Sequence, residues 1–197
     1  MAVLEKFYGK IESEKLLFDP NEVALRLKTE RGYTNEIIDE CKKILQNNVD
    51  CRYCAVKADV FVTDESTVDL GFLKTESKSL AKNLYGCTQC YIMAVTLGNK
   101  VDMLLKKMSV SSPAKHYITD ALASALAESA ADTAEAIIKG KSDCTLRFSP
   151  GYADLTLEIQ PNVLNVLEAS KYIGVTISKS LLMTPQKTIT AFIGIKK

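Results

Sequence analysis

Three groups of residues in this 197-residue chain combine side-chain types and spacing that chemistry could use. The first is the run Arg147-Phe148-Ser149-Pro150-Gly151-Tyr152. Cys144, Leu146 and Phe148 alternate with Thr145, Arg147 and Ser149, which places Arg147 on the polar face of a short strand. Pro150 and Gly151 suit the two central positions of a type II turn, with a positive φ at Gly151. Such a turn at a strand end exposes backbone N–H and C=O groups. A guanidinium beside it can grip a carboxylate bidentately, and Tyr152 adds an aromatic face and a hydroxyl. The set suits an amino-acid-like or nucleoside-like ligand. An ordinary turn with its arginine in a surface ion pair uses the same residues, and both readings stay open at this level.

The second group is two C-x-x-C pairs, Cys51-Arg52-Tyr53-Cys54 and Cys87-Thr88-Gln89-Cys90. Four thiolates could make a tetrahedral zinc site. The interval between the pairs is longer than in compact zinc ribbons and holds a predicted hairpin and helix. Cys51 and Cys54 also open a predicted strand, where residues i and i+3 point to opposite faces. The expectation is therefore buried thiols without metal. The third group is the stripe Asp120, Ser124, Glu128 and Asp132, set at i, i+4 intervals on an alanine-dominated helix. Taken alone it reads as a solvated face; the functional alternative is that Glu128 faces a cleft and meets a cationic ligand group.

Other motifs fail. Gly140-Lys141-Ser142 resembles the end of a phosphate-binding loop. It lacks the earlier glycine, where Glu135 stands, and it follows a predicted helix rather than a strand. His116 is the only histidine, so one chain supplies no histidine-based triad and no multi-histidine metal site.

The elements that must position these groups follow from capping signals and periodicity. Asp19 offers an N-cap ahead of Pro20 at N1, opening a helix that runs towards Gly32. A second helix is expected over 34–45. Period-two residues predict a strand over 53–63, with 68–73 as its hairpin partner. A short helix over 77–85 ends at Gly86. A buried strand over 91–97 leads through Gly98 into a helix reaching Met108. The longest helix spans 113–138, stopped by Gly140. A strand over 145–148, a helix over 162–172 and strands over 175–178 and 188–195 complete the chain. No repeated βαβ pattern is present. The expected fold is α+β: one domain over 1–197 with a largely antiparallel twisted sheet flanked by helices. Residues 1–48 form its helical N-terminal part and 49–197 its α+β core.

Composition narrows the partners. Lys plus Arg number 25 against 24 Asp plus Glu, and the net charge of +1 gives no electrostatic reason for a nucleic-acid or anionic-membrane partner. Met1-Ala2-Val3-Leu4-Glu5-Lys6 lacks the form of a signal peptide, and no apolar run approaches a membrane span. A cytoplasmic protein is expected, in which the six cysteines are thiols or ligands rather than disulfides.

The R-x-x-x-G-Y pattern filled by Arg147, Gly151 and Tyr152 resembles the S-adenosylmethionine-binding motif of the activation (reactivation) domain of cobalamin-dependent methionine synthase. Further pieces agree in the same order. ALASALAESAADTAEAI at 121–137 resembles the alanine-rich helix of that family, with Leu126-Ala127-Glu128 in the place of its ligand-binding glutamate. VTLG at 95–98, followed by Asp102, resembles a strand-to-helix turn of the single-domain members. The segments 22–45 and 173–195 are similar to the opening and closing parts. The chain ends soon after Phe192-Ile193-Gly194, without the C-terminal extension of the large enzyme's domain. Ala153-Asp154-Leu155 also differ from the large enzyme and are closer to the stand-alone members.

The resemblance implies a helper component rather than a self-contained enzyme. Arg147 would bind the methionyl carboxylate. Glu128 would face the amine, directly or through water. Ser149 to Gly151 would offer backbone contacts to the nucleoside, and Tyr152 would shape the pocket near the reacting methyl. The implied partner is a cobalamin-binding methionine synthase acting in trans. Its cob(II)alamin would be reduced through a flavodoxin-like donor and methylated by S-adenosylmethionine, which places the chemistry in the corrinoid and positioning in the protein. Two alternatives stand beside this: an activator of another corrinoid methyltransferase, and a metal-binding interaction module built on the C-x-x-C pairs.

Overall fold

A computed structural model describes residues 5–196; residues 1–4 and 197, including the first residues of the expected helical part, lie outside it. The described residues open with a strand, β1 (Glu5–Ile11), and two helices, α1 (Pro20–Leu27) and α2 (Glu36–Gln46). Strand β2 (Cys51–Asp59) leads into three short strands, β3 (Phe61–Val62), β4 (Thr67–Asp69) and β5 (Lys74–Glu76), and a short helix, α3 (Lys78–Asn83). Next come β6 (Gln89–Thr96), α4 (Asn99–Ser111) and the 27-residue α5 (Pro113–Lys139). The chain closes with α6 (Gln160–Val166), α7 (Ala169–Ile173), β7 (Thr176–Ile177), β8 (Met183–Thr184) and β9 (Thr188–Ile195).

The main sheet has the order β1-β2-β6-β9, antiparallel throughout. Alternation along its strands builds two cores. Tyr53, Ala55, Tyr91, Met93, Ala191 and Ile193 face a helical layer of α1, α2, α4 and α5. Val56, Ala58, Ile92, Ala94 and Phe192 face a second layer that holds α3, α6, α7 and the ribbon of β3, β4 and β5. Ala121, Ala123, Ala125, Ala127, Ala130, Ala131 and Ala134 are buried along α5. Their small side chains let the longest helix lie close to its neighbours. The architecture is the expected α+β fold, and no helix of the described residues is long and apolar enough to cross a membrane.

Three expectations change. The head of the N-terminal part is a strand, not a helix: β1 pairs along β2 from Glu5↔Lys57 to Ile11↔Cys51. The strand expected over 53–63 is two strands: its end, β3, makes the expected hairpin with the start of 68–73 (Phe61↔Asp69, Val62↔Val68), whereas β2 pairs with β1 and β6 in the main sheet. The helix expected over 162–172 is two helices, because Glu168 takes a left-handed conformation between them, with φ 48°. The predicted cap at Asp19 holds, its Oδ1 accepting from Asn21 N–H at 2.8 Å with Pro20 at the first helical position; Ser77, expected inside its helix, is instead the N-cap of α3, its Oγ accepting from Leu80 N–H at 3.0 Å.

Candidate functional site

The segment 144–148 runs beside β9 as a bulged fragment rather than a regular strand. Cys144 pairs with Ile195 and Phe148 with Phe192, so four steps on this segment answer three on β9. The extra residue is Leu146, which is 83% exposed. Asn83 secures the bulge, donating to the Leu146 carbonyl at 3.1 Å and accepting from Thr145 Oγ1 at 2.9 Å. The simple alternation expected here is therefore broken. Cys144 packs in the α5-side core and Arg147 also reaches α5, whereas Phe148 joins the opposite core.

Arg147 ends among carboxylates of α5. Its Nη1 donates to Asp132 Oδ1 at 2.7 Å and Glu135 Oε2 at 3.2 Å, and its Nη2 lies 3.5 Å from Glu128 Oε2. The arginine side chain is only 18% exposed. Glu128 lies between two guanidiniums, since Arg26 Nη2 stands 3.8 Å from its other oxygen and holds Glu22 at 3.0 Å. The other end of the stripe is partnered too: Lys187 Nζ lies 2.8 Å from both Asp120 Oδ1 and Ser124 Oγ. The stripe is thus charge-paired along its length, half-buried at Asp120, Ser124 and Glu128 and exposed at Asp132.

The corner itself has the geometry its residues require. Tyr152 N–H donates to the Ser149 carbonyl at 3.2 Å across Pro150 and Gly151, and Gly151 has φ 86°. That is a type II turn with glycine at the position needing a left-handed backbone. A Cβ on Gly151 would stand 2.8 Å from Leu157 Cδ2. A second, tighter loop follows: Gly151 N–H donates to the Leu155 carbonyl at 2.7 Å and Leu155 N–H to the Tyr152 carbonyl at 3.1 Å. Tyr152 is 69% exposed, its ring edge-on to Phe148 at 5.8 Å. Arg147 and Glu128 thus meet at the α5 seam, while Ser149, Gly151 and Tyr152 form the turn just beyond Arg147 in the chain, against Phe148 and Leu155 of the other core.

Asp132 and Glu135 are partners of Arg147 that the local motif around the arginine does not reveal. Asp132 was visible on the stripe, and Glu135, three residues on, extends it by one helical turn. The site is an open surface and not a deep cavity. A concavity of about 670 Å³ lies between the ribbon and α3, walled by Val62, Asp64, Lys78, Lys82 and Tyr85 and not by Arg147.

The cysteines do not converge. Cys51 enters the α5-side core, while Cys54, Cys87 and Cys90 enter the other. Cys54 pairs with Ala94 and Cys90 with Ala58, so these two stand about 13 Å apart along the sheet. Burial pushes the Cys51, Cys54 and Cys90 thiols up to about 12. No group of three or more His, Cys, Asp or Glu side chains among the described residues is placed to hold a metal ion.

The chain is a four-stranded antiparallel sheet between two helical layers, with a charged seam and an exposed turn at one edge. The crystal structure of the MetH reactivation domain bound to AdoHcy matches this chain with a TM-score of 0.74 at 13% identity, covering 98% of this chain and 79% of that one. The two share a fold, which is the fold that the sequence resemblance implied. No protein-family model and no curated protein matches the sequence.

Proposed function

We propose that this protein binds S-adenosylmethionine at the Arg147 corner and serves as the reactivation component of a cobalamin-dependent methionine synthase acting in trans. The observation that carries the reading is the Arg147–Glu128 contact at 3.5 Å beside an exposed type II turn, in a chain with the fold of an AdoHcy-bound domain.

The α-amino-acid end of the ligand is a zwitterion. Inserted between Arg147 and Glu128, its carboxylate takes the guanidinium and its ammonium takes the glutamate. Each protein charge exchanges one partner for another, so no buried charge is left alone. The 3.5 Å contact is the longest of the three that Arg147 makes, and therefore the one that opens at least cost. Asp132 and Glu135 keep the guanidinium oriented meanwhile. At the corner, Gly151 N–H already donates to Leu155, and the Gly151 carbonyl accepts no hydrogen bond from a described residue. The turn thus presents an acceptor, which suits the exocyclic amine of adenine. Tyr152 lies beside it as an exposed aromatic surface.

S-adenosylmethionine would supply the methyl group and leave as S-adenosylhomocysteine, and the acceptor would be a corrinoid on the partner reduced by one electron from a separate donor. This chain binds and orients the donor on an open face that a partner can cover. The contact is transient, since the partner must also release for ordinary turnover, and a modest interface suits that. The test is reconstitution of a cobalamin-dependent methionine synthase lacking its own activation domain, with a reductant and S-adenosylmethionine. Recovery of methylcobalamin should require this protein. Equal recovery without it would refute the reactivation role.

A further inference from the structure

We propose that Asp154 is the positioning residue of the corner: its carboxylate fastens the loop that follows Tyr152 to the start of α3 and so holds the 149–152 turn in its ligand-binding shape. The inference builds on the reading that this corner binds an S-adenosyl ligand.

Asp154 reaches across the fold. Its Oδ1 accepts from Ser77 Oγ at 2.6 Å and from Ser79 N–H at 3.2 Å, and its Oδ2 accepts from Lys78 N–H at 2.7 Å. The first N–H groups of a helix have no partner within it, and negative charge at that end is favourable. Asp154 therefore caps α3 from 75 to 77 residues away. The anchor is firm on the other side. Ser77 is 3% exposed, caps Leu80 N–H with its own hydroxyl, and donates its N–H to the Ser66 carbonyl at 2.7 Å.

The corner shows the consequence. Ala153, between Tyr152 and Asp154, has φ 50°, a left-handed conformation that residues other than glycine avoid. Such a conformation persists where the surroundings over-determine it. Here the determinants are Asp154 on α3, the Gly151–Leu155 bond, and the Leu155 side chain, which is 1% exposed in the core beneath. Leu155 fixes the depth of the loop. Asp154 fixes its direction, and Tyr152 projects outward in consequence. A corner ordered before binding avoids an ordering cost on binding, which appears directly as affinity.

The test pairs hydrogen exchange of the free protein with calorimetry using S-adenosylhomocysteine, on wild type, Asp154→Ala and a control, Asp64→Ala. Asp64 is a comparable carboxylate cap on the ribbon, bonded to the N–H groups of Ser66 and Thr67; it touches no residue of the corner and reaches Asp154 only through Ser66 and Ser77, so it tests the loss of a nearby cap with the Asp154 clamp left in place. Asp154→Ala should speed exchange at the Gly151 and Leu155 amides and weaken binding by about tenfold, as loss of a cap and of preorganisation requires. Asp64→Ala should bind as the wild type does. If Asp154→Ala does not fold, Asp154→Asn, which keeps the shape and loses the charge, should show the same two changes in smaller measure. Unchanged exchange at the corner, or an unchanged affinity, in the Asp154 variant overturns the positioning role. Absence of binding by the wild type overturns the ligand reading, and the positioning role for a ligand with it; the exchange result then still reports whether Asp154 orders the corner.

Discussion

Cys51 and Cys54 stand three residues apart on β2 and enter opposite cores; Cys144 and Arg147 stand three apart beside β9 and both turn towards α5. The spacing is the same and the outcome is reversed. β2 is regular and paired on both sides, so alternation sends i and i+3 to opposite faces. The fragment beside β9 carries one extra residue, and Leu146, looped outward, removes one step from the alternation. A single bulge therefore joins the arginine to the acidic seam of α5, while strict pairing sends Cys51 and Cys54 to opposite cores. Side-chain spacing gains meaning only through the regularity of the strand that carries it.

The largest expected effect on this contrast comes from Arg147→Ala. It should weaken S-adenosylhomocysteine binding by about 1.5–3 kcal/mol through the lost charge-assisted pair. It should also destabilise the fold by roughly 1–2 kcal/mol, because Glu135, only 16% exposed, and its neighbours lose their shared cation. A residue on a freely solvated polar face would show only the first effect. Calorimetry and denaturant unfolding of the one variant separate the two.

Gly151→Ala comes next. A left-handed backbone and a Cβ 2.8 Å from Leu157 Cδ2 should cost about 1–2 kcal/mol of stability. Leu157 is a flexible, exposed side chain and can yield, so the backbone sets the size of the loss. Removal of Leu146 should do far less. Without it, Cys144, Thr145, Arg147 and Phe148 alternate regularly, and Arg147 still faces α5. Affinity should then stay within about threefold of wild type. Loss of binding on deletion would show that the bulge shapes the site in its own right.

On the cysteine side the expectation is silence. Thiols held at about 12 by burial stay protonated at pH 8, so Cys51, Cys54 and Cys90 should resist alkylation in the native protein and react once it unfolds. Protein purified without added metal should carry well under one zinc or iron per chain. A full equivalent lost on mutating Cys87 and Cys90 would reverse this reading. The smallest effect is in acid. The Ser77 hydroxyl, with the N–H groups of Ser79 and Lys78, holds the Asp154 carboxyl down at about 2. A depressed carboxyl contributes its stability above its unfolded value near 4 and loses it as pH falls towards 2. The difference in melting temperature between wild type and Asp154→Asn should hold steady from pH 7 to about 4 and shrink below that.

Much of the frame was readable from residues. β9 and α5 were predicted almost to the residue, because a β-branched run bounded by Pro185 and an alanine-rich run between Pro113 and Gly140 carry their own boundaries. β1 was missed because an edge strand with Glu5, Lys6 and Lys10 hides its alternation behind charges that guard the edge. The break at Glu168 has neither glycine nor proline to announce it. At the site, Arg147, Glu128 and the turn were legible as a local motif. The clamp of Asp154 on Ser77 was not, since no local pattern links residues 77 positions apart. The bulge was hidden for the same reason: it exists only in register with β9.

The central claim is that the amino-acid end of the ligand enters between Arg147 and Glu128. Titration calorimetry of the wild-type protein with S-adenosylhomocysteine, and in parallel with 5′-methylthioadenosine, tests it most directly. The second compound keeps the nucleoside and sulfur and lacks the zwitterion. S-adenosylhomocysteine should bind with one site per chain, and methylthioadenosine at least about tenfold more weakly. Equal affinity for the two, or no binding of S-adenosylhomocysteine, would contradict the account.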